Sequence, residues 1–316
     1  MRSVVSFAKR EDAKELAFNQ PLSLSRKKDF FIGLDSDGCV FNTMEIKHKE
    51  CFIPQTIKHW RLQRISSLVR ETWEFVNLYS IWRGTNRFPA LCKVFELLAQ
   101  RPAIKRSAIE LPDLEPLREW ISLTPALDNL CLEEYARKVN NKIIEQALSW
   151  SHAVNEAISE MVSGIPPFNQ ALKAIESLQS QADLVVVSQT PLKALALEWQ
   201  EHGLDTKVTA LAGQEQGSKE EQLRQALALG YLPEHILMIG DAYGDLLAAQ
   251  KAGVLFYPII PGQEEESWER LLEEALPRFL SGSYQGSYAA EIIANFKNSI
   301  PAEPPWLCHQ AQWPLV

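Results

Sequence analysis

The chain has 316 residues, 46% of them hydrophobic and 23% charged, which is enough for one large α/β domain or for two domains with a true hydrophobic core. A formal net charge of -8 argues against a nucleic-acid groove or an anionic membrane surface as the main partner, so an anionic substrate would need positive charge gathered locally. The five cysteines (Cys39, Cys51, Cys92, Cys131, Cys308) are widely spaced, odd in number and without a Cys-x-x-Cys pair, which argues against a zinc site or a disulfide framework and fits a reducing cytoplasm.

Residues 1–28 read as a polar leader with room for one short helix. They lack the apolar core of a signal peptide, and no span approaches the length of a membrane helix, so a cytoplasmic protein is expected. The run Phe30-Phe31-Ile32-Gly33-Leu34 predicts a buried parallel strand that stops at Asp35-Ser36-Asp37-Gly38. In open α/β sheets, ligands gather where such strands end. Two carboxylates one residue apart repel each other, and burying either unpaired is costly. A cation, for which magnesium is the expectation, or a shared proton should therefore lie nearby.

After Asn42 the periodicity turns helical and stays so for about 120 residues, too long for a loop inside a compact domain. Residues 44–163 are expected to form an all-helical domain of their own. Ile65, Leu68, Val69, Trp73 and Val76 trace one helical face. Pro89 suits a helix start, with Leu91, Val94, Phe95 and Leu98 behind it, and further helices are expected over 113–122 and 132–161. Trp60, Trp73 and Trp82 suit the core of this domain. Between two helical stretches, Trp82 to Phe88 carries Arg83, Asn86 and Arg87, which could reach a polar or anionic leaving group; the competing reading is a surface loop.

Gly164-Ile165-Pro166-Pro167 ends the helical pattern. A helix carrying Phe168, Leu172, Ile175 and Leu178 then leads to a strand over 184–187, a helix opened by Pro191, and a strand over 207–211. Next come a helix with Ser218 and Glu221 as capping box and strands over 236–239 and 254–257. This alternation predicts an α/β fold, a Rossmann-like doubly wound parallel sheet over 29–43 and 164–281 with the helical cap inserted. The tail, 282–316, is less regular and receives no role.

Each predicted strand ends in something polar: Asp35 to Gly38, then Ser188-Gln189-Thr190, then Gly240-Asp241-Ala242-Tyr243-Gly244-Asp245, with Gly217-Ser218-Lys219 at a helix start between the last two. In these motifs the chain resembles the haloacid dehalogenase superfamily of aspartate-nucleophile phosphotransferases, with the phosphatase version of the first motif. The matching residues are Asp-x-Asp-Gly at Asp35 to Gly38, Ser188, Lys219, and Gly-Asp-x-x-x-Asp at Gly240 to Asp245. The resemblance covers Phe30 to Asn42 and about Gly164 to Pro258, and the helical insertion lies at the family's commonest cap position.

A carboxylate oxygen can attack phosphorus to form an acyl phosphate that water then hydrolyses, and Asp35 is the candidate nucleophile. Asp37, as the resemblance implies, would protonate the leaving oxygen and later deprotonate the water. Magnesium would offset the clustered acids and the phosphoryl charge. The resemblance implies Asp35, Asp241 and the Asp37 main-chain carbonyl as its ligands, with Asp245 acting through water or by orienting Lys219. Ser188 with Gln189 beside it, Lys219 and the unobstructed backbone at Gly38 would receive the phosphate. The expected function is magnesium-dependent hydrolysis of a small phosphorylated metabolite. A sugar phosphomutase with the same core, and a non-catalytic member that binds a partner through its cap or tail, are the alternatives.

Overall fold

The computed structural model describes residues 24–106, 109–124 and 126–307. The helix expected in the leader falls outside these residues up to position 23. The described chain forms two units: one holds the residues up to Asn42 and Gly164–Phe296, the other Thr43–Ser163 and the residues from Lys297 on.

The first unit is built on a five-stranded sheet, with β1 Phe30–Leu34, β2 Ala182–Val187, β3 Ala210–Ala212, β4 Ile236–Gly240 and β5 Leu255–Pro258. The order is β3-β2-β1-β4-β5 and every pairing is parallel. This is a Rossmann-like α/β core. β2 and β4 are buried along their whole length, as strands covered on both faces must be, which is why Leu184 to Val187 of β2 and Ile236 to Ile239 of β4 read as apolar runs rather than alternating ones, with the buried Asp183 the polar exception in β2. Ile32, Leu34, Val186 and Ile239 lie in one apolar core, and burying each of these side chains contributes about 1.5–3 kcal/mol.

β1 is central, and register places the ends of three strands level. Leu34 stands opposite Val186 of β2 and Ile239 of β4. The ladder continues one residue further, since the Asp35 N–H donates to Ile239 O at 2.9 Å and the Ser188 N–H to Ala212 O at 2.9 Å. Gly33 lets the covering layer approach: a Cβ there would lie 3.2 Å from Met238 Sδ and 3.4 Å from Leu223 Cδ2 of the helix Lys219–Ala228. The strand predicted over 207–211 is shifted, because Asp205–Lys207 forms a 3-10 turn and pairing begins at Ala210.

The second unit is helical. Its core gathers Trp73, Trp150, Phe88 and Trp120, with the Trp73 and Trp150 rings 6.1 Å apart and Phe88 against Trp120 at 5.1 Å. Trp60 is buried in the same core, and Trp82 packs on its edge under the Lys93 ammonium. Two boundaries differ from the sequence reading. The helix Arg87–Gln100 starts two residues before Pro89, with Asn86 as N-cap, so the proline sits in the first turn where a missing N–H costs nothing. The stretch 132–161 is two helices, Asn129–Val139 and Lys142–Met161, because Asn140 turns left-handed at φ 43° and the Asn141 side chain caps the second helix.

The tail reading is corrected as well. Ser287–Ser299 is a helix whose Ile292 and Phe296 are buried, the latter 5.7 Å from the Phe256 ring of β5. Beyond it the chain joins the helical unit: the Ile81 N–H donates to Pro301 O at 3.4 Å, and Trp306 packs against Phe75 at 5.5 Å and under the Arg101 guanidinium at 3.7 Å. Among the described residues no helix is long and apolar enough to cross a membrane.

Candidate active site

Asp35 follows β1 directly and Asp241 follows β4 directly, so the sheet sets both on one edge. Asp245 comes from the first turn of the helix Tyr243–Ala252, where its Oδ2 accepts the Ala242 N–H at 3.0 Å. This fold-back needs a glycine beneath it, since a Cβ on Gly240 would lie 2.4 Å from Asp245 Oδ2. The three buried carboxylates offer oxygens within 4.8 Å of one another.

Lys219 opens its helix behind a Ser218–Glu221 capping box, as the sequence suggests. Its Nζ lies 2.7 Å from Asp35 Oδ2 and 2.5 Å from Asp245 Oδ1. Burial works to lower the Lys219 ammonium, but Asp245 and Asp35 overcome it and raise it further above the usual lysine range. Burial pushes the Asp35 carboxyl up well above the usual carboxylate range, Lys219 opposes this, and the charges of Asp245 and Asp241 add to it. With all three ionised, the carboxylates against one ammonium leave a surplus of two negative charges in a largely buried cluster. A hard divalent cation with a preference for oxygen ligands fits that donor set and that surplus. The Asp37 side chain is not one of the three clustered carboxylates.

Asp37 is half-buried in the turn after β1. The Ser36 carbonyl accepts the N–H groups of Val40 at 3.0 Å and Phe41 at 3.1 Å, and Gly38 takes φ 77°, a conformation that suits glycine. The Asp37 Oδ2 accepts the Thr190 hydroxyl at 2.9 Å. Ser188 is buried, and its Oγ accepts the Thr190 N–H at 3.1 Å. Gln189 is exposed and donates to Gly217 O at 3.1 Å, tying the loop after β2 to the one that presents Lys219.

The structure therefore brings Asp35, Lys219, Asp241 and Asp245 into direct contact or a common cluster, with Asp37, Ser188 and Gln189 on the adjoining strand ends. Arg83, Asn86 and Arg87 serve the helical unit instead. Arg83 is 3% exposed and donates to Leu78 O at 2.9 Å. Asn86 caps its helix and donates to Leu127 O, while Arg87 donates to Ser151 O, Ser151 Oγ and Asn155 Oδ1. The guanidinium groups of Arg83 and Arg87 are engaged by local hydrogen bonds, and Asn86 is exposed.

Four residues of the site neighbourhood received no role from the sequence. Thr190 grips Asp37. Buried Gln222 donates to Gly213 O at 2.9 Å and Gly217 O at 3.0 Å, bracing the Lys219 loop. Trp199 donates to Ser36 Oγ at 2.9 Å, and that hydroxyl donates to Glu198 at 3.1 Å, anchoring the residue between the two aspartates. Of these only Thr190 left a signal, a hydroxyl two residues past Ser188. Cys39 is fully buried, and burial with the Asp241 and Asp35 charges pushes its thiol well up, so it supplies no thiolate.

Residues 123–259 match the family model described as haloacid dehalogenase-like hydrolase. Among solved structures, the chain is similar to a haloacid dehalogenase-like family hydrolase from Streptococcus pneumoniae, with 16% identity, 84% of this chain and 98% of that one covered, and a TM-score of 0.42. A predicted phosphoglycolate phosphatase from Haemophilus somnus aligns with 17% identity over 78% of this chain and 98% of its own, at a TM-score of 0.49. A hydrolase of the same superfamily from Geobacter sulfurreducens covers 74% and 90% at 16% identity and a TM-score of 0.36. Among curated proteins nothing matches.

Proposed function

We propose that the chain is a haloacid dehalogenase-like hydrolase, a reading supported by the family match over residues 123–259, and that it hydrolyses a phosphomonoester of a small soluble metabolite in the cytoplasm, with magnesium, through a phosphorylated Asp35. The observation that carries this reading is Asp35 itself: a buried carboxylate at the end of the central strand, paired to Lys219 at 2.7 Å and clustered with two further acids. A structural ion pair has no use for the two extra negative charges. A phosphoryl group and a divalent cation together do.

Asp35 attacks phosphorus while Asp37 hands its proton to the ester oxygen, which leaves as the alcohol. Asp37, now a carboxylate, takes a proton from water as the water oxygen attacks phosphorus, releasing phosphate and restoring both side chains. Lys219 holds charge at the Asp35 oxygen and on the group in transfer, and Ser188 lies on the strand end beside it. Asp35, Asp241 and the Asp37 carbonyl would hold magnesium with Asp245 behind them, and the ion would offset charge on the acids and the phosphoryl oxygens. Asp37 also favours phosphoryl transfer over dehalogenation, since a halide leaves without a proton.

Replacing Asp35 by asparagine tests the reading. Phosphate release from para-nitrophenyl phosphate should vanish while circular dichroism and the melting transition persist. Undiminished turnover in D35N refutes Asp35 as nucleophile.

A further inference from the structure

We infer that Gln222 is a positioning residue for the phosphoryl group: its side-chain amide joins the backbone carbonyls of three loops and so fixes the spacing between Ser188 and Lys219. The inference rests on the phosphatase reading, in which those two side chains receive the phosphoryl oxygens, and it gives a role to a residue outside the motifs.

Ser188 and Lys219 reach the site from different parts of the chain. Ser188 opens the loop after β2, and Lys219 opens the helix Lys219–Ala228 beyond the loop that follows β3. The Lys219 ion pairs with Asp35 and Asp245 are made by Nζ, at the end of a flexible four-carbon stem, so they do not by themselves fix where the stem begins. Gln222 lies in the first turn of the same helix, 2% exposed, with its N–H donating to Ser218 O at 2.9 Å. Its Nε2 turns back to donate to Gly213 O at 2.9 Å, Gly217 O at 3.0 Å and, more weakly, Ser188 O at 3.5 Å.

One amide therefore meets the end of β2, the end of β3 and the start of the lysine helix. The loops it joins are already pressed together, since a Cβ on Gly213 would lie 2.7 Å from Leu192 N and 2.8 Å from Thr190 O. The carbonyls do not depend on Gln222 for a partner. Gly213 O also accepts the Gln216 N–H at 3.1 Å, and Gln189 Nε2 donates to Gly217 O at 3.1 Å and Ser188 O at 3.3 Å. What Gln222 adds is the joint between loops, rather than relief of a buried polar group.

That joint has a chemical consequence. The oxygens of a phosphoryl group are a fixed distance apart, so donors from two loops hold it together only when the loops keep a matching separation. Ser188 and Lys219 would meet those oxygens before transfer as well as during it. Slack between the two then weakens the bound ester and the transition state alike, and a loss of that kind raises KM and leaves kcat nearly unchanged.

Methionine at 222 keeps the length of the side chain and removes its donor. The measurement is KM and kcat for para-nitrophenyl phosphate in the parent and in Q222M. In Q222M, KM should rise about threefold or more, with kcat falling by a smaller factor than KM rises. A residue that only supported the fold would act through the amount of active protein, lowering kcat and leaving KM alone. A smaller rise in KM, or a fall in kcat that equals or exceeds the rise in KM, overturns the inference while the phosphatase reading stands, provided the parent releases phosphate. A parent that releases none overturns both. If Q222M does not melt cooperatively, Q222L read by the same split decides.

Discussion

Removing the Lys219 ammonium should reveal how the site tolerates its own acids. In K219M, buried Asp35 and Asp245 lose the cation that neutralises them, and breaking such a pair costs about 3–5 kcal/mol. Magnesium should restore more stability to K219M than to the parent, which thermal unfolding with and without the ion would show. In the parent, the native lysine value is raised, so its stabilisation is complete below the ordinary lysine range and is lost only as pH climbs through the raised value. As far as the Lys219 ammonium is concerned, the stability of the parent should therefore hold through the neutral range, and K219M should lack the alkaline loss; urea unfolding across pH checks both. The residues of this cluster were legible because each stands where an apolar run stops. Thr190 and Gln222 were not, since a hydroxyl after a strand reads as a cap and a buried glutamine in a helix has no pattern of its own. For Arg83 and Arg87 the charge was visible in the sequence and the local partners were not.

Helices and strands were legible from their periods, and their ends were not. The 3.6-residue pattern carries through Asn140 and Asn141 without interruption, while the left-handed turn that divides the two helices depends on backbone angles. At Asn86 polarity alone could not separate a substrate ligand from a helix cap. N86A should lower stability by about 0.5–2 kcal/mol and N86D should restore it, because aspartate also accepts the Phe88 N–H. Denaturant midpoints would settle the matter: equal stability in N86A and the parent would remove the capping role. In the α/β unit the strands were easier, since full burial leaves β4 and the 184–187 part of β2 as apolar runs, although the buried Asp183 hid the start of β2.

For the molecule as a whole, the two-unit division follows a change of period that the sequence displays, but the return of the last segment does not. Nothing in Pro301, Pro304 and Trp306 says which body they join. Exhaustive chelation should abolish phosphate release, and magnesium at about 100 times its Kd should restore it with about 2.7 kcal/mol of added stability. Full activity in the chelated protein would remove the metal from the mechanism.

The seat of Trp306 has a further consequence. The described residues from Lys297 to Leu307 belong with Thr43–Ser163, so the helical body is assembled from two pieces of chain that are far apart in sequence. An isolated 43–163 fragment would leave the faces of Phe75 and Arg101 bare. A synthetic peptide spanning 297–307 should bind it and raise its melting temperature, as in complementation of a split protein, and a W306A peptide should bind more weakly.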